Sequence, residues 1–248
     1  MTLQDFFKEQ PAVALAFSGG VDSAYLMYAA QQWGSRVTAY YVKTPFQPQF
    51  EYDDAVRLAT ELGAQMQTIH LDVLQDKNVI TNPANRCYYC KKRIFSAILD
   101  AARKDGFSLV IDGTNASDDA SDRPGMAALR ELQVRSPLRE AGLTKAEIRR
   151  LSKEAGLFTH DKPAYACLAT RIPAGTAITQ ELLKKTEICE EYLKNMGFSD
   201  FRIRYFEGSA RLQLPEAQIP ALLSKRQEIL AFLKQHYPAV LLDLEVRG

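Results

Sequence analysis

From Val13 to Asp112 the chain alternates strand-like and helix-like segments, and that alternation leaves few folds open. Val13–Phe17 is an apolar run of the length expected for a fully buried strand. Helical spacing follows over Ser23–Gln32, and Arg36–Lys43 then reads as a β-branched and aromatic strand. Asp53–Leu62 puts Ala55, Leu58, Ala59 and Leu62 at helical spacing, with Gly63 as the stop. Gln65–Asp72, Tyr88–Arg103 and Ser108–Asp112 continue as strand, helix and strand. This order predicts an α/β domain with a parallel sheet covered by helices on both faces.

Beyond it, Thr144 and Glu147 fit a capping box that opens a helix over Thr144–Ala155, ended by Gly156. Leu157–Thr179 shows no periodicity and is rich in Pro, Ala and Thr, the profile of a functional loop or a linker. The remainder predicts a helix at Gln180–Asn195, a strand pair at Phe201–Phe206 and Ser209–Leu214, a helix over Pro215–Gln235 and a strand at Val240–Val246. That pattern predicts a smaller α+β domain over 176–248, after a first domain over 1–175 that includes the loop. The 31 Lys and Arg residues nearly cancel the 30 Asp and Glu, so neither nucleic acid nor a membrane surface is an expected electrostatic partner. The expected compartment is a reducing cytoplasm, where four cysteines cannot serve as a disulfide scaffold.

The most specific segment is Ala16-Phe17-Ser18-Gly19-Gly20-Val21-Asp22-Ser23, between the first strand and the first helix. Two glycines let the backbone turn tightly, and the amides of the loop and of the helix start converge on an anion site. Ser18 and Ser23 add hydroxyl donors, and Asp22 beside a phosphate makes sense as a holder of Mg²⁺. No lysine stands in the loop, which separates it from a Walker A motif and from a dinucleotide fingerprint. A plain Gly-Gly turn with a capped helix is the simpler reading of the same residues. Asp112-Gly113-Thr114-Asn115 ends the fourth strand, where parallel sheets place their ligands, although in isolation it is ordinary turn chemistry.

Cys87 and Cys90 stand one turn apart at a helix start among Arg86, Lys91 and Lys92, surroundings that favour thiolate. The pair fits a redox couple, half a zinc site or part of an iron-sulfur site. Cys167 lies in the long loop, so three thiols can form a clamp with one coordination position open. Cys189 shares a helical face with Leu182, Thr186, Leu193 and Met196 and reads as core. Of the three histidines, His70 and His236 read as surface residues, and only His160 is close enough in sequence to Cys167 to be considered as a ligand. Arg202 and Arg204, two apart on a strand, share one face that is by default solvated.

Taken together, the phosphate loop, Asn85–Lys91, Asp112–Asp118, Asp122–Gly125, Ser136–Lys145 and Lys162–Arg171 resemble the LarE-type sulfur transferases of the PP-loop ATP pyrophosphatases. The resemblance implies an enzyme that uses ATP and Mg²⁺ to adenylate the carboxylates of a pyridinium dicarboxylate mononucleotide and makes them thiocarboxylates for a nickel-pincer cofactor. It implies ATP contacts from Ala16 to Ser23 and at Gly113 and Thr114, with Asp22, Ser23 and Cys167 in the chemistry. It implies a substrate phosphate held by Arg171, Arg202, Arg204 and Thr170. Members with one cysteine surrender its sulfur, whereas members with three, matching Cys87, Cys90 and Cys167, hold a 4Fe-4S cluster that takes an exogenous sulfide. Glu190 resembles a metal-site acid of the family, while Gln213 stands where an acidic partner is expected. The implied partners are a small nucleotide substrate, a sulfide donor and further copies of the chain. A tRNA thiolase with the same chemistry and a non-catalytic zinc- or nucleotide-binding protein are the competing readings.

Overall fold

The structure, a computed structural model, describes residues 1–118 and 124–246; Asp122 and Arg123 lie outside the described residues. The strands are β1 (Ala12–Ala16), β2 (Arg36–Lys43), β3 (Gln65–His70), β4 (Val110–Ile111), β5 (Arg202–Phe206), β6 (Ser209–Gln213) and β7 (Val240–Leu242). The helices are α1 (Leu3–Glu9), α2 (Val21–Gln32), α3 (Gln49–Glu61), α4 (Lys77–Ile80), α5 (Arg86–Lys104) and α6 (Pro124–Glu131). They continue with α7 (Pro137–Glu140), α8 (Lys145–Glu154), α9 (Gln180–Asn195), α10 (Ile219–Ser224) and α11 (Arg226–Leu233). The chain packs as two units, one of Met1–Val73 and Asn85–Lys162, the other of Leu74–Ala84 and Pro163–Gly248.

The first unit is α/β. Its sheet has the order β3-β2-β1-β4, and every pairing is parallel. Side-chain alternation on β1 explains why both faces must be covered. Val13 and Leu15 point into a core shared with α1 and α2, while Ala14 joins Tyr40, Phe95 and Ile98 in a second core. Helix α2 is buried along most of its length, from Val21 to Ala30. After β3 the chain returns to the opposite side of β1 to form β4, so the carboxyl ends of β1 and β4 are neighbours. A reversal of that kind opens a crevice at the sheet's carboxyl edge.

In the second unit, β5 and β6 form an antiparallel hairpin and β7 joins β6 in parallel. The segment Leu74–Ala84 belongs to this unit because Asn82 Nδ2 donates to Pro173 O at 2.8 Å, while Asn82 O and Ile80 O accept from Gly175 N and Ile178 N, both at 2.8 Å. Residue 175, the domain boundary expected from sequence, therefore lies inside the second packing unit. Pro215–Gln235, expected as one helix, is broken. Pro220 has no amide to continue a ladder and sits in the first turn of α10, and at Lys225 (φ −100°, ψ 10°) the chain leaves helical geometry before α11. Leu157–Thr179, expected to be structureless, contains short 3-10 turns at Phe158–Asp161 and Leu168–Arg171.

Local capping behaves as the residue types require. Thr144 Oγ1 accepts from Glu147 N at 3.3 Å, and Glu147 Oε2 accepts from Thr144 N at 2.8 Å. Thr2 and Asp5 make the same reciprocal pair at α1. Replacing Thr144 with Ala is expected to lower unfolding free energy by about 1 kcal/mol. Leu15→Ala, in a fully buried site of the central strand, is expected to cost about 2–5 kcal/mol. Urea unfolding of the two variants measures both.

Candidate active site

The turn after β1 is built by two glycines with different tasks. Gly19 has φ +72°, and a Cβ there would lie 3.0 Å from the Ala55 Cβ of α3. Gly20 is the N-cap of α2, and no side chain caps that helix, which leaves first-turn amides available to an anion. The loop is braced internally. Ser18 N donates to Ser23 Oγ at 3.3 Å, and Ser23 Oγ donates to Gly20 O at 3.1 Å. Ser18 Oγ and Ser23 Oγ are 3.1 Å apart, and Phe17 N bonds Tyr40 O on β2 at 3.0 Å. Ala16 closes β1, and Val21 is buried under the loop.

The end of β4 meets this loop. A Cβ on Gly113 would stand 2.9 Å from Ser23 N, so only glycine lets the two backbones approach so closely. Asp112 is buried and engaged by its neighbours, with Thr114 Oγ1 and Ser136 Oγ donating to it at 2.6 Å each. Asn115 Nδ2 reaches Asp22 Oδ1 at 3.4 Å. The next residues run along the start of α8, where Ala116 N bonds Leu143 O at 2.8 Å and Lys145 N bonds Ser117 Oγ at 3.0 Å. That contact delivers Lys145, whose Nζ stands 2.5 Å from Asp22 Oδ2. A lysine absent from the phosphate loop in sequence is therefore present beside it in space. The residue pattern could have exposed it only through Ser136–Lys145, a segment counted as part of a resemblance and given no role.

Cys87 and Cys90 occupy the first turns of α5, the former exposed and the latter half-buried, with Arg86 Nη2 3.8 Å from Cys87 Sγ. Both belong to the first unit. His160, in the same unit, has its Nδ1 3.0 Å from Leu157 O. Among the described residues no group of three or more His, Cys, Asp or Glu side chains is gathered as a metal centre.

In the second unit, half-buried Cys167 precedes the 3-10 turn Leu168–Arg171. Arg171 differs from an exposed phosphate ligand. Its side chain is 0% exposed, and it grips Glu190 with two bonds, Nε to Oε1 at 2.8 Å and Nη2 to Oε2 at 2.9 Å. Its Nη1 donates to Ala166 O at 2.8 Å and to Thr170 Oγ1 at 3.0 Å. Burial works against the guanidinium charge, but the hydrogen bonds and charge of Glu190 outweigh it and hold Arg171 above its ordinary value. Glu190 is buried too, and it also accepts from Ile203 N at 2.8 Å and from Tyr165 Oη at 2.5 Å. Burial first, and then the charge of Glu190, keep the Tyr165 hydroxyl protonated.

The strand arginines complete this arrangement. Arg202 is buried and donates from Nη2 to Ala164 O at 2.6 Å; half-buried Arg204 donates from Nη1 to Thr170 O at 3.0 Å and from Nε to Gln213 Oε1 at 2.5 Å. Gln213 in turn donates to Asp243 at 2.9 Å. The structure thus brings together Arg171, Arg202, Arg204, Thr170 and Cys167 in one unit, and the phosphate loop, Gly113, Thr114, Cys87 and Cys90 in the other.

Cys189 is fully buried on α9, and burial pushes its thiol up to about 12. It therefore stays a neutral thiol across the neutral range. With a thiol-alkylating reagent near pH 8 and a chelator to strip any metal, Cys87, Cys90 and Cys167 are expected to be labelled in the folded protein and Cys189 only after unfolding, as read by peptide mass spectrometry. Gly113→Ala is expected to force the β4 turn away from Ser23 N and to lower stability by about 1–3 kcal/mol, measured by thermal and urea unfolding.

No protein-family model matches the chain. The pyridinium-3,5-bisthiocarboxylic acid mononucleotide synthase of Lactiplantibacillus plantarum is 36% identical over 220 residues, covering 88% of this chain and 80% of that protein. An uncharacterized protein of Synechocystis is 34% identical over 98% of this chain and 92% of its own length. More distantly, the tRNA-specific 2-thiouridylase of Pseudothermotoga lettingae is 26% identical over 81% of this chain and 69% of that enzyme. An α/β unit with a glycine-built anion loop at the end of its central strand agrees with these likenesses, and the chain belongs to the LarE-type family of ATP-dependent sulfur transferases.

Proposed function

We propose that the enzyme adenylates the carboxylates of a pyridinium dicarboxylate mononucleotide and converts them to thiocarboxylates for a nickel-pincer cofactor. The observation that carries the adenylation half is the meeting of the phosphate loop, through Asp22 and Ser23, with Lys145 and Gly113. A carboxylate oxygen of the substrate attacks the α-phosphorus of ATP, the bond to the β-phosphate oxygen breaks, and pyrophosphate leaves. The residues from Ala16 to Ser23, with Gly113 and Thr114, bind the nucleotide, and the open amides at the start of α2 take up the phosphate charge. Asp22 would hold Mg²⁺. Lys145 pairs with that carboxylate, and the cation would take the lysine's place there and leave it to face the departing pyrophosphate.

Sulfur then attacks the acyl carbon, and the carbon–oxygen bond to AMP breaks. The family resemblance assigns the sulfur step to Cys87, Cys90 and Cys167, each at least partly open to solvent, and leaves out the buried Cys189. Those three thiols would be the ligands of a 4Fe-4S cluster, which would supply a route for an exogenous sulfide to the activated carboxylate. The substrate phosphate is assigned to the arginine-rich face of β5, where Arg204 and Thr170 are half-buried rather than fully enclosed, with Arg202 and Arg171 behind them. The near-neutral chain charge favours a small nucleotide over RNA. A homo-oligomer in a reducing cytoplasm belongs to the same reading.

The test is pyrophosphate–ATP exchange that depends on the pyridinium dicarboxylate mononucleotide. Asp22→Ala is expected to abolish it and Lys145→Ala to slow it by about 10²-fold. Anaerobically purified protein is expected to carry iron and sulfide that disappear in Cys87→Ala, Cys90→Ala and Cys167→Ala and remain in Cys189→Ala. Dehydroalanine at position 167 after turnover would replace the cluster with a sacrificial sulfur, and thiolation of tRNA would replace the substrate.

A further inference from the structure

The family resemblance makes Arg171 a substrate-phosphate ligand and Glu190 a metal-site acid, but in this chain each is buried against the other. We propose instead that Arg171 and Glu190 are positioning residues, a buried ion pair that holds the main chain around Cys167 in the conformation from which sulfur is transferred. The inference rests on the reading that Cys167 serves the sulfur step.

Four carbonyls of the segment from Ala164 to Thr170 accept from guanidinium groups. Arg202 takes Ala164 O, Arg171 takes Ala166 O at 2.8 Å and Cys167 O at 3.5 Å, and Arg204 takes Thr170 O. Cys167 O also receives Thr170 N at 3.0 Å and Thr170 Oγ1 at 2.8 Å. Residues 162–167 have no helix or sheet ladder to fix them, and Ala164 and Ala166 are themselves exposed, so these donors set the direction of the carbonyls. A guanidinium offers several donors in one rigid plane, so one Arg171 side chain fixes two consecutive carbonyls flanking the Cys167 residue.

Glu190 makes the arrangement possible. A fully enclosed cation is tolerated only with a matched anion, and Glu190 supplies it in two-point geometry. The same carboxylate accepts Ile203 N, which fixes β5 between Arg202 and Arg204. Tyr165 closes the cluster. Its hydroxyl donates to Glu190, and its ring lies 4.5 Å from the Arg171 guanidinium and 5.2 Å from that of Arg202. With Oε1 taken by Arg171 and Ile203 and Oε2 by Arg171 and Tyr165, both Glu190 oxygens are engaged by protein donors, the arrangement of a counter-ion rather than of a metal ligand.

Glu190→Gln and Tyr165→Phe in the full-length protein test this, with two readouts. Amide hydrogen exchange over residues 164–171 is expected to quicken about tenfold or more in Glu190→Gln, while α2 and β1 keep their protection. In the thiocarboxylate assay kcat is expected to fall about tenfold with KM for the mononucleotide within about twofold, since no substrate contact is removed. A KM rise of about tenfold with unchanged exchange over 164–171 would make Arg171 a phosphate ligand and overturn the proposal. Loss of a bound metal ion in Glu190→Gln that wild type retains would do the same. Should Glu190→Gln fail to fold, Tyr165→Phe removes one bond to Oε2 and is expected to shift both readouts in the same directions by about threefold; no shift would overturn the idea. If wild type makes no thiocarboxylate, the functional reading fails, and the exchange measurement still decides whether the pair holds the segment.

Discussion

Everything in the first unit depends on β1 being paired in parallel on both edges. A strand with parallel neighbours on each side has both edges paired and ends at the sheet's carboxyl edge, so the residues that follow it must turn sharply beside the end of its neighbour. Gly19 and Gly20 make that turn, and Gly113 makes room for it from the β4 side. The loop geometry is thus a product of sheet topology and three missing side chains. Only after that do charged residues matter, and they arrive from far away in sequence, as Lys145 shows.

The molecule handles charge locally. Its formal net charge of +1 conceals enclosed pairs such as Arg171 with Glu190 and half-open ones such as Lys145 with Asp22. The two differ in what they permit. A pair about a fifth to a third exposed can exchange partners with solvent ions. A pair with side chains 0% and 4% exposed cannot do so without leaving a bare charge in the interior, so it acts as a fixed part of the scaffold.

Much of the fold was legible because hydrophobic period and turn chemistry agreed. Arg36–Lys43 and Gln180–Asn195 were read to the residue, and the Thr144 capping box was visible as two letters three apart. Helix α1 carries the same signal in Thr2 and Asp5, but over only seven residues. The run after Pro215 misled because Leu222, Ile229 and Leu233 keep a single apolar stripe through a break that only backbone geometry reveals. The glycine turn after β1 was legible because its residues are contiguous. The pairing of Lys145 with Asp22 was not, because 123 residues separate them. Nor was the enclosure of Arg171, since an arginine outside any periodic segment reads as solvent-exposed by default.

The short excursion of the chain through Leu74–Ala84 gives the architecture an evolutionary consequence. Asn82 and Ile80 supply partners to the stretch from Ile172 to Ile178, yet they are encoded nearly a hundred positions earlier. A gene fragment starting at Pro163 would therefore express a second unit with those partners missing. Such a unit cannot be inherited, duplicated or grafted as a contiguous cassette, and the two halves of this enzyme have to descend together.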